Sequence, residues 1–187
     1  MTPRSIALFA HVVGMLALFV AFAIEQLSLA LVRTARPEVP SPAVRALRAI
    51  PRFTGTAVAL ILLSGVYLAT EVGALGLAWV RVSFGAMVFI ALLGGIALRS
   101  VMRSVNDQRD GRIDVMALRQ RAVHPFVRAS LRVRIAVALA IVYLMVAKPD
   151  FLESALLIGL ALVLGAAASV LNRRSPSAVE HAAEFRG

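Results

Sequence analysis

The stretch IALFAHVVGMLALFVAFAIEQLSLALV, residues 6–32, decides the fold class, because His11 and Glu25 are its only ionisable side chains. A helix needs about 20 predominantly apolar residues to cross the hydrocarbon layer of a membrane. This stretch is long enough, and it lacks the alternating pattern of a membrane barrel strand. It therefore predicts a membrane-spanning helix close to the start of the chain.

The composition extends this prediction to the whole chain, since 60% of its 187 residues are hydrophobic and only 16% are charged. Ordinary soluble domains hold about 45–50% apolar and about 25% charged residues. Further spans are predicted at residues 54–70, 80–98, 130–147 and 152–171. The expected fold is an all-α, polytopic membrane bundle of five helices over residues 1–172, followed by a polar cytoplasmic tail, residues 173–187. In the fourth span, Arg132 and Arg134 are expected to snorkel toward the lipid head groups.

The distribution of positive charge predicts the orientation. All but three of the 20 basic residues fall on one side of the five-span topology, and the exceptions are Arg4, Arg81 and Lys148. The positive-inside bias then places the N-terminus outside and the C-terminus in the cytoplasm, in a bacterial inner membrane. This topology accounts for the net charge of +10. We therefore expect the lipid bilayer, and no nucleic acid, as a partner.

Four spans are the alternative, because Arg4, an apolar run and the small residues AFA at 21–23 are also typical of a cleaved secretory signal. Cleavage there would place the arginines of both long connections outside. The apolar stretch also continues past the cleavage position. The charge distribution therefore favours five spans.

Small residues recur every four positions on two predicted helices. They are Ala161, Gly165 and Ser169 in the fifth span and Ala91 and Gly95 in the third. Such faces allow helix backbones to approach closely in lipid. Two interpretations stay open, which are packing within one subunit and contact between the subunits of a homo-oligomer.

The sequence contains no recognisable catalytic motif. It has no cysteine, no nucleophile elbow, no phosphate-binding loop and no HExxH pair. His124 and His181 fall outside the spans, so a metal site built from several histidines is not expected. We predict no catalytic residues, and the sequence favours a protein that is not an enzyme.

His11 and Glu25 are the candidate functional residues of the first span. Fourteen helical residues separate them by about 21 Å along the axis and about 40° around it, so they share a face but do not touch. Ionisable side chains in membrane helices usually face the bundle interior and find partners there. For Glu25 the expected partners are Arg33, Arg52, Arg99 or Arg134. For His11 they are Tyr67, Glu71, Arg81 or Tyr143.

Four segments carry a resemblance to known proteins: LFAHVVGMLALF at 8–19, LLSGVYLAT at 62–70, LAWVRVSFGAMVF at 77–89 and SLRVRIAVALAIVYLMVAKPDFLESALL at 130–157. They resemble a family of small bacterial integral membrane proteins of unknown function. More distantly, His11 and Trp79 resemble the group of copper-resistance protein D and the membrane-bound, haem-containing protoporphyrinogen oxidase. This resemblance implies that His11 ligates haem or a metal. The oxidase pattern has a lysine just after the tryptophan, whereas here Val80, Arg81, Val82 and Ser83 follow Trp79. This difference argues against the oxidase activity.

Three functional hypotheses follow. The first is a non-catalytic or accessory component of the membrane. The second is a haem- or copper-binding membrane protein that uses His11 as the ligand. The third is a small transporter in which Glu25 relays a proton or cation, with Arg81 as a second candidate relay or structural polar residue.

Overall fold

The computed structural model describes residues 2–34, 41–106, 108–109, 112–113 and 115–171. Six α-helices follow one another: α1 (Pro3–Thr34), α2 (Ser41–Glu71), α3 (Ala78–Asn106), α4 (Val115–Val123), α5 (Pro125–Ala147) and α6 (Phe151–Leu171). A 3-10 turn, Ala74–Gly76, joins α2 to α3, and the strands β1 (Gln108–Arg109) and β2 (Arg112–Ile113) pair antiparallel between α3 and α4. The predicted polar tail, 173–187, lies outside the described residues.

Five of these helices are long and apolar enough to cross a membrane, which confirms the predicted all-α bundle. The spans are Pro3–Arg33, Pro42–Glu71, Ala78–Arg103, Pro125–Ala147 and Phe151–Val170. Large apolar side chains also cover the outer surface; Phe9 and Leu63, for example, are more than 70% exposed. Such a surface is stable in lipid and unfavourable in water. The multi-pass membrane fold therefore follows from both the length of the helices and their outward faces.

Consecutive and non-consecutive helices build one core. α1 packs most extensively on α2, α5 packs on α6, and α3 lies between α2 and α5. The short helix α4 contacts α1 and α3 at the end of the bundle that holds the β1–β2 hairpin. The largest fully buried apolar side chains come from the five helices α1 to α5, and they include Leu29, Leu47, Val101, Leu118, Ile141 and Leu144.

The second helix begins at Ser41, well before the predicted start at residue 54. Its added turns bury Ala43, Val44, Leu47 and Ile50, which recur at helical spacing, while the arginines between them stay exposed. Pro51 lies inside the helix and removes one backbone hydrogen bond without ending it. Burial of the apolar face compensates for this loss, so α2 continues through the arginine-rich segment.

The fifth helix begins at Pro125, earlier than the predicted residue 130. His124 caps it, because its side chain accepts a hydrogen bond from the backbone N–H of Phe126 at 3.3 Å. Pro125 occupies the first turn, where a missing N–H costs nothing. His124 and Pro125 therefore separate α4 from α5.

Candidate functional site

His11 is buried between α1 and α2 with one ring nitrogen held in place. Its Nδ1 lies 3.1 Å from the carbonyl oxygen of Ile61 and 3.2 Å from the hydroxyl of Ser64. A carbonyl can only accept, so Nδ1 carries a proton and donates it. The Ser64 hydroxyl donates to the carbonyl of Leu60 and so is an acceptor for the imidazole. In the neutral ring, Nε2 is then the nitrogen with a free lone pair.

Two glycines allow the ring to approach α2 this closely. A Cβ atom on Gly65 would lie 3.2 Å from Cε1 of His11 and 3.4 Å from its Nδ1. A Cβ on Gly14 would lie 2.9 Å from Cγ1 of Ile61 and 3.3 Å from the carbonyl of Ala57. The spacing of α1 and α2 at His11 therefore depends on small residues on both helices. The sequence shows these glycines, but their facing positions become visible only in the packed bundle.

His11 lines a cavity of about 820 Å³. The cavity lies at the end of the bundle where α1 begins, where α2 and α5 end and where α3 begins, beside the 3-10 turn. Its walls are largely apolar and include Leu62, Val66, Trp79, Phe84, Ile141 and two thioethers, Met87 and Met145. Cofactor sites in proteins are typically cavities of about 300–1,000 Å³ with apolar walls and a few polar groups.

Three cations line the same cavity: Arg4, Arg81 and Lys148. They are the three basic residues that the topology leaves apart from the arginine-rich side, and they come from α1, α3 and the end of α5. No Asp or Glu is among the described residues that line the cavity. The cavity therefore combines an apolar interior with positive charge, which suits an amphipathic anion.

Lys148 has a left-handed backbone conformation, with φ 50° and ψ 49°. It caps α5 through its N–H, which donates to the carbonyl of Leu144 at 2.9 Å. Glycine adopts this conformation without the steric cost that a lysine bears. Among the described residues, Lys148 is the one non-glycine residue with positive φ. A charged side chain is thus placed at the cavity at a conformational cost.

Ser83 also lines the cavity, and its buried hydroxyl has no hydrogen-bond partner among the residues that the structure describes. Buried polar groups in proteins are nearly always paired. The unpaired hydroxyl of a residue that lines the cavity together with Arg81 is therefore a feature that a polar ligand group would satisfy.

The predicted partners of His11 are wrong, because its hydrogen bonds go to α2 at Ile61 and Ser64. Of the four predicted side chains, only Arg81 shares its cavity. Because α1 packs closely on α2, the imidazole of His11 lies against the backbone of α2. It therefore does not bond to the predicted side chains. Within the described ranges, no three His, Cys, Asp or Glu side chains come together as metal ligands.

Glu25 lies in a different environment, where Arg134 of α5 donates through Nη2 to its Oε1. Both side chains are almost fully buried, at 1% and 2% exposure. This confirms one of the predicted partners of Glu25 and corrects the expectation for Arg134, which does not snorkel. The buried carboxylate attracts the guanidinium into the bundle instead. Arg132 does extend along the surface, and it donates to the carbonyl of Ala168 on α6.

The Arg134 side chain crosses the bundle beside two other helices. Its guanidinium carbon lies 5.3 Å from the centroid of the Phe22 ring on α1. A Cβ on Gly94 of α3 would lie 2.6 Å from its Nη1. Glu25 Oε2 and Arg134 Nε have no hydrogen-bond partner within the described part of the chain. Glu25 does not line the His11 cavity, and its role as a relay stays a prediction.

The small-residue face of α6 packs within the subunit. Ala161, Gly165 and Ser169 are buried, and a Cβ on Gly165 would lie 2.7 Å from Cα of Val133 on α5. On α3, Gly95 is exposed and its Cβ would meet nothing within 4 Å. Of these two adjacent glycines on α3, Gly94 is the buried one. The sequence pattern did not single it out.

Neither a protein-family model nor a curated protein nor a solved structure matches this chain. The resemblance to copper-resistance protein D and the membrane-bound protoporphyrinogen oxidase stays a prediction.

Proposed function

We propose that this protein is a haem-binding, non-catalytic component of the bacterial inner membrane, in which Nε2 of His11 would ligate the iron. The observation that carries the proposal is the hydrogen bond from Nδ1 to the carbonyl of Ile61. Histidines that ligate metals characteristically donate their other ring N–H to a carbonyl or carboxylate, which fixes the ring and raises its basicity. A proximal histidine is a common haem ligand.

The cavity around His11 fits the rest of the haem group. The porphyrin is apolar and planar, and the apolar walls with Trp79 and Phe84 suit it. The two propionates are anionic, and Arg4, Arg81 and Lys148 are cations of the same cavity. The unpaired hydroxyl of Ser83 is a further donor for a carboxylate. The donor set thus supports both the metal and the acidic parts of the ligand.

Bound haem would supply a redox-active iron. The chain's own contribution is to orient the imidazole, to hold the anionic groups and to exclude water from the apolar interior. Met87 and Met145 are further soft donors in the cavity. Imidazole and thioethers also suit copper, so the metal content is part of the test.

The location and the orientation belong to the same proposal. Seventeen arginines on one side of five spans support a cytoplasmic C-terminus by the positive-inside bias. The cavity with His11 would then open toward the outer side of the inner membrane. Glu25 and Arg134 would lie closer to the cytoplasmic side.

The test is the absorption spectrum of the full chain purified from haem-replete cells. We expect a Soret band that disappears in His11→Ala and stays in His124→Ala, because His124 caps α5 away from the cavity. Arg81→Gln should weaken haem retention during dialysis. Arg119→Gln, which removes an exposed charge from α4, should not.

Three results would overturn the proposal. They are a colourless wild-type protein, a Soret band that survives in His11→Ala, and an equal loss in both histidine variants. If the protein is colourless but contains copper, and His11→Ala loses that copper, then His11 ligates copper and not haem. Folding of each variant is checked by circular dichroism and by elution from a sizing column.

A further inference from the structure

Three arginines converge at the end of the bundle opposite the His11 cavity. Arg33 lies at the end of α1, and Arg128 and Arg132 lie one turn apart on the same face of α5. All three side chains are half-buried, and Arg33 reaches the carbonyl of Ala122 at the end of α4, directly before α5 begins. Like charges held together in a partly buried place repel one another, and the repulsion is relieved by an anion.

The described residues supply no such anion. Arg33 donates through Nε to the carbonyl of Ala122 at 3.2 Å, and Arg132 donates to the carbonyl of Ala168. The guanidinium of Arg128 makes no hydrogen bond or ion pair with another residue of the described ranges. The only carboxylate that forms an ion pair within these ranges is Glu25, and its partner is Arg134. Among the residues that the structure describes, these three positive charges therefore have no carboxylate partner.

The start of α5 adds to the positive potential. The N-terminus of a helix carries a partial positive charge and favours acidic residues. The first turn of α5 contains no acidic residue and contains Arg128 instead. An external anion at this place would be stabilised by the helix end as well as by the three guanidinium groups.

Apolar side chains flank the three arginines at the same level of the bundle. Leu31 on α1, Phe126 on α5 and Val170 on α6 are each at least 40% exposed. The span of α1 ends at Arg33, and the span of α5 begins at Pro125. The arginines therefore lie at the boundary between apolar and polar layers, where the phosphates of a lipid leaflet lie.

We propose that Arg33, Arg128 and Arg132 bind the phosphate group of an anionic membrane phospholipid. Arginine suits this role because its planar fork donates two hydrogen bonds to phosphate oxygens. The acyl chains of the lipid would lie along the exposed apolar side chains of α1, α5 and α6. Inorganic phosphate shares the head-group chemistry but has no acyl chains to contact these residues.

The test is native mass spectrometry of the full chain in detergent, with phosphatidylglycerol, phosphatidylcholine or inorganic phosphate added separately. We expect one phosphatidylglycerol to be retained preferentially over phosphatidylcholine. Arg128→Gln should weaken this binding at least about fivefold, which corresponds to the loss of one basic residue at a lipid surface. Arg128 is the first choice because its guanidinium has no described protein bond to lose.

Arg119→Gln is the matched control, because it removes one exposed positive charge from the same end of the bundle. Equal weakening by Arg119→Gln and Arg128→Gln would overturn the proposal in favour of a general effect of net charge. Equal retention of phosphatidylcholine would also overturn it. Retention of inorganic phosphate with the same dependence on Arg128 would assign the arginines to free phosphate and reject the lipid. The haem spectrum is measured on the same samples, and its presence or absence does not affect this result.

Discussion

Arg134 and Glu25 form the buried ion pair that joins the first and fifth helices. Burial of two charges is costly, and their attraction compensates only when both partners are present. The net contribution of such a pair is therefore best seen when one partner is removed. Glu25 Oε2 and Arg134 Nε, which have no described partner, add to the cost of the native arrangement.

Arg134→Met should destabilise the bundle strongly, because it leaves Glu25 buried without its partner. The expected loss is about 3–5 kcal/mol in the free energy of unfolding. The double variant Glu25→Leu with Arg134→Met should recover most of this loss, since both charges are then replaced by apolar side chains. Unfolding in sodium dodecyl sulfate, followed by circular dichroism, measures both. Equal losses in the single and the double variant would contradict this account.

Gly94→Ala should also disturb the ion pair. The new Cβ would lie 2.6 Å from Nη1 of Arg134 and 3.1 Å from its Cδ, so the guanidinium must move away from Glu25. We expect the free energy of unfolding to fall by about 1–3 kcal/mol, which is typical of overpacking. Gly95→Ala is the neighbouring control, because its Cβ would meet nothing within 4 Å. The same unfolding assay compares them, and similar losses would show that Gly94 has no special role.

At the scale of single residues, sequence reasoning predicted the arginine partner of Glu25 but not the surroundings of His11. A buried carboxylate in an arginine-rich chain restricts the choice of partner, and Arg134 was among the four named. The partners of His11 are a backbone carbonyl and a serine on α2. Backbone carbonyls are present at every residue, so only the packing of α1 on α2 selects Ile61.

At the scale of the helices, the contact of α5 with α6 depends on backbone approach at Gly165. A Cβ there would lie 2.7 Å from Cα of Val133 and 3.1 Å from the carbonyl of Arg132, and backbone atoms cannot rotate away. Gly165→Ala should therefore separate the two helices. The exposed face of α6 is not involved in this contact.

Gly165→Ala should lower the midpoint of thermal unfolding. The expected decrease in the free energy of unfolding is about 1–3 kcal/mol. Gly159→Ala is the control on the same helix, since its Cβ would meet nothing within 4 Å. Because the affected contact lies within one subunit, the elution volume of the folded protein should stay the same. A change in elution volume without a change in midpoint would place Gly165 in a contact between subunits.

The lengths of the helices show where the sequence pattern was sufficient. The long apolar runs predicted all five spans, because lipid requires long apolar helices. The sequence pattern does not predict the helical turns of α2 before residue 54. Prolines and arginines interrupt this segment, although Val44, Leu47 and Ile50 form an apolar face in it. Helical spacing was present in that segment, but its burial depends on contacts with helices far away in sequence.

For the whole molecule, opposite ends carry different chemistry. One end has the His11 cavity with Arg4, Arg81 and Lys148, and the other has the remaining arginines of the described bundle apart from Arg134. The buried pair of Glu25 and Arg134 lies among the helices and does not line the His11 cavity. The positions of these features depend on the fold, but the charge difference between the ends is visible in the sequence.

Reporter fusions test the proposed orientation of this asymmetric bundle. A reporter active only in the cytoplasm should be active when it is fused within the β1–β2 connection. A reporter active only outside should be active when it is fused at Gly73, between α2 and the 3-10 turn. Each reporter is fused to a chain that is truncated at the tested position, so that each position is reported independently. The reverse pattern would invert the topology and place the His11 cavity on the cytoplasmic side.

The separation of 109 residues between Glu25 and Arg134 has a consequence for the synthesis of the protein. Chains grow at about 5–20 residues per second, so roughly 5 to 20 s pass between the translation of the two partners. During this interval the early helices hold a carboxylate whose counterion has not yet been made. Arrival of α5 ends this interval, because it supplies the guanidinium of Arg134 as the counterion.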